Sequence, residues 1–429
     1  MEAGTPKGTR DFMPEQMIAR KKVISTVEQV FNRFGFYPIE TPAFEYTDTL
    51  TAKCGDEVSK QVFKLEGTKF GLRFDLTVPL SRVVASNTAL TKPFKRYCIA
   101  RVWRYEEPQK GRFREFWQAD VDVVGSSSMR ADAECLSTAA SALKELGFNG
   151  FEVRVNNRKI LDAVVTQAGV PKEKEFDVFR SLDKLEKREE EGVKQELKDR
   201  GIPDDIITKL MDFIKITGSN EEKLELLEGM VGSTEAGRAG IDELKQLIDF
   251  FSKYEISGDC EIVIDFSLVR GLDYYTGPIF EIKIPGGNIG SVAGGGRFDK
   301  LIELYDAPAT PATGISLGLE RVIAVMQDRE MVETAKTVSK VYVAPVKPEF
   351  YDYALKVVDF FRKSGVAAET DLMERSLRKQ LDYANSMGIP FVAVVGAKEQ
   401  KEEGVMLRDF ESGEERLVSL EEALAKLSS

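Results

Sequence analysis

The chain has 429 residues, 42% hydrophobic and 31% charged, with a formal net charge of −11 and no histidine. That size calls for two or three domains with sizeable cores, and the lack of histidine removes Ser-His-Asp hydrolysis, HExxH zinc chemistry and Cys-His proteolysis. No apolar run is long enough to cross a bilayer, the N-terminus has no apolar signal region, and Cys54, Cys98, Cys135 and Cys260 form no CxxC pair, which argues for a reducing cytoplasm and against a disulfide framework or cysteine-based zinc site.

Pro14 opens a helix expected to reach about Phe34, with Ile24, Val27, Val30, Phe31 and Phe34 at helical spacing and Gly35 ending it. Phe36 to Pro42 is extended, because each residue before a proline is pushed out of the α region. From Phe70 to Pro79 apolar and polar residues alternate. Leu72, Phe74 and Leu76 would face one side of a strand and Arg73, Asp75 and Thr77 the other, giving either a binding face or a solvated edge. A helix should then run from Leu80 to about Ala89.

Tyr97–Tyr105 and Phe116–Gly125 read as the arms of a long antiparallel hairpin, joined by the polar turn Glu106–Arg114. In the return arm Gln118, Asp120 and Asp122 share one face. Closure across the turn would bring Arg104 near Gln118 and Asp122, which fits a ligand constellation and a structural ion pair equally. Lys95, Arg96, Arg101, Arg104, Lys110, Arg112 and Arg114 all fall in this region against Glu106 and Glu107. A basic block in an acidic chain suits a local anionic ligand, or a solvated face.

A helix is expected from Arg130 to about Leu146, a strand at Phe151–Val155 and a turn at Asn156–Arg158. Residues 171–254 are dense in Lys and Glu with helical apolar spacing throughout, as in an insertion. Strands at Ile262–Asp265 and Ile279–Ile284 bracket Leu268-Val-Arg-Gly-Leu-Asp-Tyr-Tyr-Thr-Gly277. Large polar groups gathered between apolar strands suit a pocket floor; a tyrosine-rich hairpin is the alternative. Gly290–Ile302 reads as a strand running into a helix, with Gly294, Gly295 and Gly296 letting backbone approach a ligand, although neither GxGxxG nor P-loop spacing is present. Gly314–Met326 runs from strand to helix with Glu320 and Arg321 at the junction. Residues 333–340 form a linker. Strands at Val341–Pro345, Val366–Glu369 and Phe391–Val395 then alternate with helices at Phe350–Ser364 and Arg375–Met387, as in a small α/β domain with a mostly parallel sheet. The last helix opens on the capping box Ser419-Leu-Glu-Glu422.

The helix and extended segment ending at Pro42, the hairpin carrying Arg104, Arg112 and Asp122, and Gly318-Leu-Glu-Arg321 resemble the three motifs of class II aminoacyl-tRNA synthetases. Leu268-Val-Arg-Gly-Leu-Asp-Tyr-Tyr275 and Ala293-Gly-Gly-Gly-Arg-Phe-Asp299 resemble the two motifs particular to the histidyl-tRNA synthetase family. The order matches over essentially the whole chain. The resemblance implies an α+β protein with an antiparallel, six-stranded class II catalytic core (1–170 and 259–332), a helical insertion (171–258) and a C-terminal α/β anticodon-binding domain (339–429), acting as a cytoplasmic homodimer. It implies ATP-dependent ligation of L-histidine to its tRNA through a histidyl-adenylate, with ATP as substrate and Mg²⁺ accompanying it.

By the same resemblance Arg104 holds the α-phosphate and the substrate carboxylate, and Arg270 sits on the α-phosphate side in place of a catalytic base. Arg112 and Arg321 serve ATP. Asp75, Thr77 and Gln118 form the α-amino site. Asp122 and Tyr275 read the imidazole, with Tyr274 packed beside them. Departures are Asp75 and Asp122 where glutamate is common, and Tyr105 and Trp117 where histidine is often seen. The rival reading is the non-catalytic regulatory subunit of ATP phosphoribosyltransferase, which binds histidine as an effector but lacks the anticodon domain and degrades the ATP arginines.

Overall fold

The structure, a computed structural model, describes residues 3–52, 56–109, 111–185, 189–269, 274–286, 289–332 and 335–428. The chain divides into two compact units, Met1–Arg10 with Val23–Met331, and Asp11–Lys22 with Val332–Ser429. The first helix spans Pro14–Arg33. Among the described residues no helix is long and apolar enough to cross a membrane.

The strands of the first unit are β1 (Tyr37–Pro38), β2 (Phe44–Tyr46), β3 (Phe70–Leu72), β4 (Phe94–Trp103), β5 (Glu115–Val124), β6 (Phe151–Asn157), β7 (Cys260–Ile264), β8 (Pro278–Lys283), β9 (Ala293–Arg297) and β10 (Ala312–Gly318). β2 and β3 pair with each other; the rest form one eight-stranded sheet in the order β1-β4-β5-β10-β9-β8-β6-β7. The strands from β4 to β6 in that order run antiparallel. This is the expected six-stranded core, but a parallel strand at each edge, β1 beside β4 and β7 beside β6, makes the sheet eight-stranded and mixed. The reason is connection length. Parallel pairing needs a long crossover, and the segments between β1 and β4 and between β6 and β7 supply it.

Three local expectations change. The alternation at Phe70–Pro79 is a strand only to Leu72, and the next helix starts at Thr77 and runs to Ser86. Asp75 Oδ1 accepts from Val78 N at 3.0 Å, so the aspartate is turning the chain rather than facing out of a strand. Arg73 is buried too, its Nε donating to Arg101 O at 3.0 Å. β6 continues through Asn157, where a turn was expected, and Asn157 then caps helix Arg158–Ala168 by accepting from Lys159 N. After β9 the chain makes only a short 3₁₀ turn, Ile302–Tyr305, in place of a helix.

Between β6 and β7 lie helices Glu175–Leu182, Glu190–Asp199, Asp204–Ile214, Asn220–Val231 and Glu235–Ser252. One of them, Asn220–Val231, covers the outer edge of β7. The Asn220 side chain donates to Ile262 O at 2.7 Å and accepts from Ile264 N at 2.8 Å, as a neighbouring strand would. Lys223, itself buried, donates to Ile264 O at 2.7 Å. An exposed strand edge invites pairing with another chain, and these side chains close it.

The second unit holds β11 (Val341–Pro345), β12 (Ala368–Thr370), β13 (Phe391–Val395), β14 (Gly404–Asp409) and β15 (Glu415–Ser419), ordered β12-β11-β13-β14-β15. The first three are parallel, as expected; β14 and β15 add an antiparallel pair. The capping box forms, with Ser419 N donating to Glu422 and Glu422 N donating to Ser419 Oγ.

Candidate active site

Alternation along β5 sends Ala119, Val121 and Val123 into the core and Gln118, Asp120 and Asp122 to the opposite face. β10 runs antiparallel beside it, with Gly314 opposite Asp122, Ser316 opposite Asp120 and Gly318 opposite Gln118. Each polar residue of β5 therefore faces a small residue of β10, and a depression opens in the sheet. The fit is close: a Cβ on Gly314 would lie 2.1 Å from Asp122 Oδ1. Gly314→Ala is expected to cost about 1–3 kcal/mol of stability from overpacking, read as a lower urea midpoint; an unchanged midpoint would show that Asp122 moves aside freely.

The depression is the floor of a cavity of about 470 Å³. Asp75, Thr77, Arg104, Arg112, Gln118, Asp122, Tyr274, Tyr275 and Arg321 all line it. Arg270 lies outside the described residues. Thr77 opens the helix Thr77–Ser86, and Asp75, just ahead of it, is held there by accepting from Val78 N in its first turn. The Tyr274 and Tyr275 rings meet edge to face at 4.7 Å, and Tyr274 also packs against Phe298. Burial raises the Tyr274 phenol well above its ordinary range, so it stays neutral and able to donate.

The hairpin closes in a different register from the one that would set Arg104 beside Asp122. Arg96 stands opposite Asp122 in the ladder. Its Nη2 lies 2.7 Å from Asp122 Oδ2, and the two side chains are 0% and 2% exposed. The same nitrogen also donates to Leu76 O at 2.9 Å, and Asp122 Oδ2 accepts no hydrogen bond among the described residues, so the contact with Asp122 is chiefly one of charge. Arg104 follows the end of β4. Its Nε donates to Phe74 O at 3.0 Å and its guanidinium lies 5.1 Å from the centre of the Phe116 ring.

The glycine run of β9 also works differently from expectation. A Cβ on Gly295 would meet Gly314 O at 2.1 Å, and one on Gly296 would meet Pro278 O at 2.7 Å and the Tyr275 ring at 3.0 Å. These glycines let neighbouring strands and a tyrosine ring come close. Gly294 and Gly295 do line the cavity as well.

At the other end of the cavity Arg321 begins helix Leu319–Asp328 and donates to Ser291 O at 2.6 Å. Glu320 is nearly buried, pairs with Arg10 and accepts from Trp117 N at 3.3 Å. Arg10 in turn lies 3.6 Å from the centre of the Phe113 ring, and Arg114 N donates to Gly8 O at 2.8 Å. The segment around Gly8 and Arg10 thus braces the hairpin turn that carries Arg112. Sequence reasoning placed Glu320 at its junction but gave no role to this brace, whose partners are hundreds of residues apart.

Charge is sorted along the cavity. Asp75, Asp120 and Asp122 occupy the floor, with Arg104 close enough to Asp75 and Tyr274 to act on both; Arg112 and Arg321 stand together at the hairpin turn and the strand-to-helix junction, with Glu106 and Glu320 among them. Burial pushes the Asp120 carboxyl up to about 7 and that of Asp122 up to about 6, in both cases against the pull of Arg96. Asp75 is raised as well, again by burial first. Asp120 was left out of the candidate residues, although its place between Gln118 and Asp122 on one strand face was signal enough to include it. Arg96 could have been found only from the register.

These raised values predict a pH dependence. A carboxyl whose folded value exceeds its unfolded one favours folding fully below the unfolded value, and that contribution is lost as pH rises through the folded one. For Asp120 the window runs from 3.8 to about 7. Asp120→Asn should therefore gain stability relative to the parent chain as pH is raised from 5 to 8. Parallel melting-temperature profiles for the two proteins would sink this.

A family model described as histidyl-tRNA synthetase matches residues 8–322, and one described as an anticodon-binding domain matches residues 340–429. The chain is 42% identical to a histidine–tRNA ligase of Aeropyrum pernix, over 98% of this chain and 96% of the relative. It is 41% identical to one of Korarchaeum cryptofilum, over 94% and 93%. The fold is similar to the crystal structure of histidyl-tRNA synthetase from Nostoc sp. PCC 7120, with a TM-score of 0.86, 30% identity, and coverage of 100% and 99% of the two chains. A structure described as an ATP phosphoribosyltransferase regulatory subunit/histidyl-tRNA synthetase from Bacillus halodurans C is similar in fold, with a TM-score of 0.76 at 23% identity, covering 92% of this chain and 100% of that one.

Proposed function

The chain belongs to the histidyl-tRNA synthetase family and is a histidine–tRNA ligase, and from that premise we propose how its cavity carries the reaction. The overall reaction joins histidine to tRNA with ATP, releasing AMP and pyrophosphate. The single observation that carries the proposal is the charge sorting: a carboxylate floor suits the cationic end of an amino acid, and an arginine-bearing far end suits a triphosphate.

In this reading Asp75, Thr77 and Gln118 take the α-ammonium group. Asp122 and Tyr275 take the imidazole, with Tyr274 packing beside them. One ring nitrogen donates and the other accepts, and a carboxylate with a phenol satisfies both. Asp122 is kept anionic for this by Arg96. The histidine carboxylate oxygen attacks the α-phosphorus, the bond to the bridging oxygen breaks, and pyrophosphate leaves. Negative charge on the α-phosphate oxygens is met by Arg104 and, from outside the described residues, Arg270. Arg321 and Arg112 hold the rest of the triphosphate. Fixed cations and positioning do the work, without proton abstraction by a histidine. The tRNA 3′ hydroxyl then attacks the histidyl carbonyl and AMP leaves. Mg²⁺ would arrive with ATP as part of the substrate.

The domain limits that go with this reading are 1–170 with 259–332 for the catalytic core, 171–258 for the insertion and 339–429 for the anticodon-binding domain. A homodimer in the cytoplasm completes it.

The test is amino-acid-dependent pyrophosphate exchange. Histidine is expected to support exchange, and apolar amino acids of similar size to be about 10⁴–10⁵-fold poorer, because they leave the buried carboxylates and phenols unpaired. Histidine binding without exchange would overturn the site reading. Arg270→Ala is expected to slow exchange far more than it weakens histidine; equal losses would make Arg270 a binding residue only.

A further inference from the structure

Gln118 holds the key ambiguity of the amino-acid end. An amide can present either its oxygen or its nitrogen to a ligand, and only the surrounding hydrogen bonds decide which. Here Gln118 Nε2 donates to Ser316 Oγ at 2.7 Å. Its Oε1 is buried and has no partner among the described residues. Ser316 has one proton to give and stands directly across the ladder from Asp120, a position from which its hydroxyl would stabilise the charged carboxylate. Asp120 is 2% exposed and lines the cavity, and its Oδ1 also lacks a partner among the described residues.

A carboxylate is acceptor-only. With Asp120 ionised, the Ser316 proton points to Asp120, and Ser316 must accept from Gln118. That forces the Gln118 nitrogen toward Ser316 and leaves the oxygen for the cavity. We propose that Asp120 is a positioning residue for amino-acid recognition: acting through Ser316, it fixes the Gln118 amide with its carbonyl oxygen presented to the substrate's α-ammonium group. This rests on the reading above that Asp75, Thr77 and Gln118 form the ammonium site.

The relay is directional, and a one-atom change reverses it. In Asp120→Asn the new amide can donate to Ser316, whose proton is then free to turn to Gln118. Gln118 answers with its oxygen and turns its NH₂ toward the ammonium. Protonating Asp120 does the same, so the relay belongs to the ionised form. The charged and titratable groups acting on Asp120 are Arg96, Asp122 and Asp75, and Cys98 and Arg73 interact with it in turn. Assays therefore belong near pH 8, above the value of about 7 to which burial lifts it.

The experiment compares histidine with 3-(imidazol-4-yl)propionate, which is histidine without its α-ammonium, as a competitive inhibitor of pyrophosphate exchange by the full chain. In Asp120→Asn the histidine KM is expected to rise by about 10–100-fold, the size of a lost hydrogen bond to a charged group. The inhibition constant of the des-amino analogue and the KM for ATP should stay within about twofold. Ser316→Ala should give the same selective loss, and the double variant little more than either single one, because the residues act in series. Equal losses for histidine and the analogue would overturn the proposal and assign Asp120 to the imidazole or to the fold. An unchanged Ser316→Ala would overturn the relay in favour of direct contact by Asp120. Should Asp120→Asn not fold, Ser316→Ala alone decides the matter. Asp75→Asn separates the two levels. If it keeps full discrimination against the analogue, the ammonium site itself is misplaced; if it loses discrimination while Ser316→Ala keeps it, only the relay fails.

Discussion

Arg104→Ala is expected to slow histidine-dependent pyrophosphate exchange by about 10²–10³-fold, the usual loss when one fixed donor to developing negative charge is removed. The residue is held for the task. Its Nε is tied to Phe74 O at 3.0 Å and its guanidinium lies over the Phe116 ring, 5.1 Å from its centre, so its direction is set before any substrate arrives. Preorganised charge costs no rearrangement at the moment of reaction, and in a recessed site it is worth more than in water. Arg104→Lys should recover little, because an ammonium cannot reproduce the two-pronged contact with adjacent oxygens. A melting curve close to that of the parent would confine the loss to chemistry. Exchange within about fivefold of the parent would remove Arg104 from the catalytic group and leave the far arginines to carry the charge.

The second large effect is on stability. Arg96→Met is expected to cost about 3–5 kcal/mol at pH 8, as removal of one member of a buried ion pair does. Arg96 is the cation that opposes the raised values of Asp120 and Asp122, and it is fully buried. Without it three carboxyls share the cavity floor with less positive charge nearby. The sign follows directly: their folded values rise further, so the loss grows with pH and shrinks toward pH 5, below the values of Asp120 and Asp122. Arg96→Met combined with Asp122→Asn should restore much of the stability while leaving histidine exchange impaired. Denaturant titrations at the two pH values decide it; a loss independent of pH, or no recovery in the double variant, would show that Arg96 stabilises by packing alone.

Much of this site was legible along the chain. The alternation of β5 announced a polar face at Gln118, Asp120 and Asp122, and the run Gly318-Leu-Glu-Arg321 announced a strand-to-helix junction; both stand as read. The stretch around Tyr274 and Tyr275 was an even choice between a pocket floor and a decorated hairpin, and the two tyrosines do line the cavity. The alternation at Phe70–Pro79 misled, because Asp75 accepts from the nearby backbone N–H of Val78 in a turn, while Arg73 is drawn inward to the distant carbonyls of Arg101 and Thr41. Side chains that bond locally to backbone compete with strand formation, and a pattern of polarity does not reveal it.

By itself the sequence determined what depends on near neighbours: which residues share a face at a period of two or 3.6, where a helix is capped, and the order of the motifs by which the family is known. Only the tertiary structure decided which groups from distant parts of the chain meet. Arg96, not Arg104, faces Asp122 because the ladder pairs Phe94–Trp103 with Val124–Glu115 along its whole length, which carries Arg104 past the end of β4 to the turn. Ser316 reaches Gln118 and Asp120 from almost two hundred residues away, and Arg10 reaches Glu320 from farther still. Such meetings are settled by packing of the whole sheet, since the chain between the partners places almost no restriction of its own on where its ends come together.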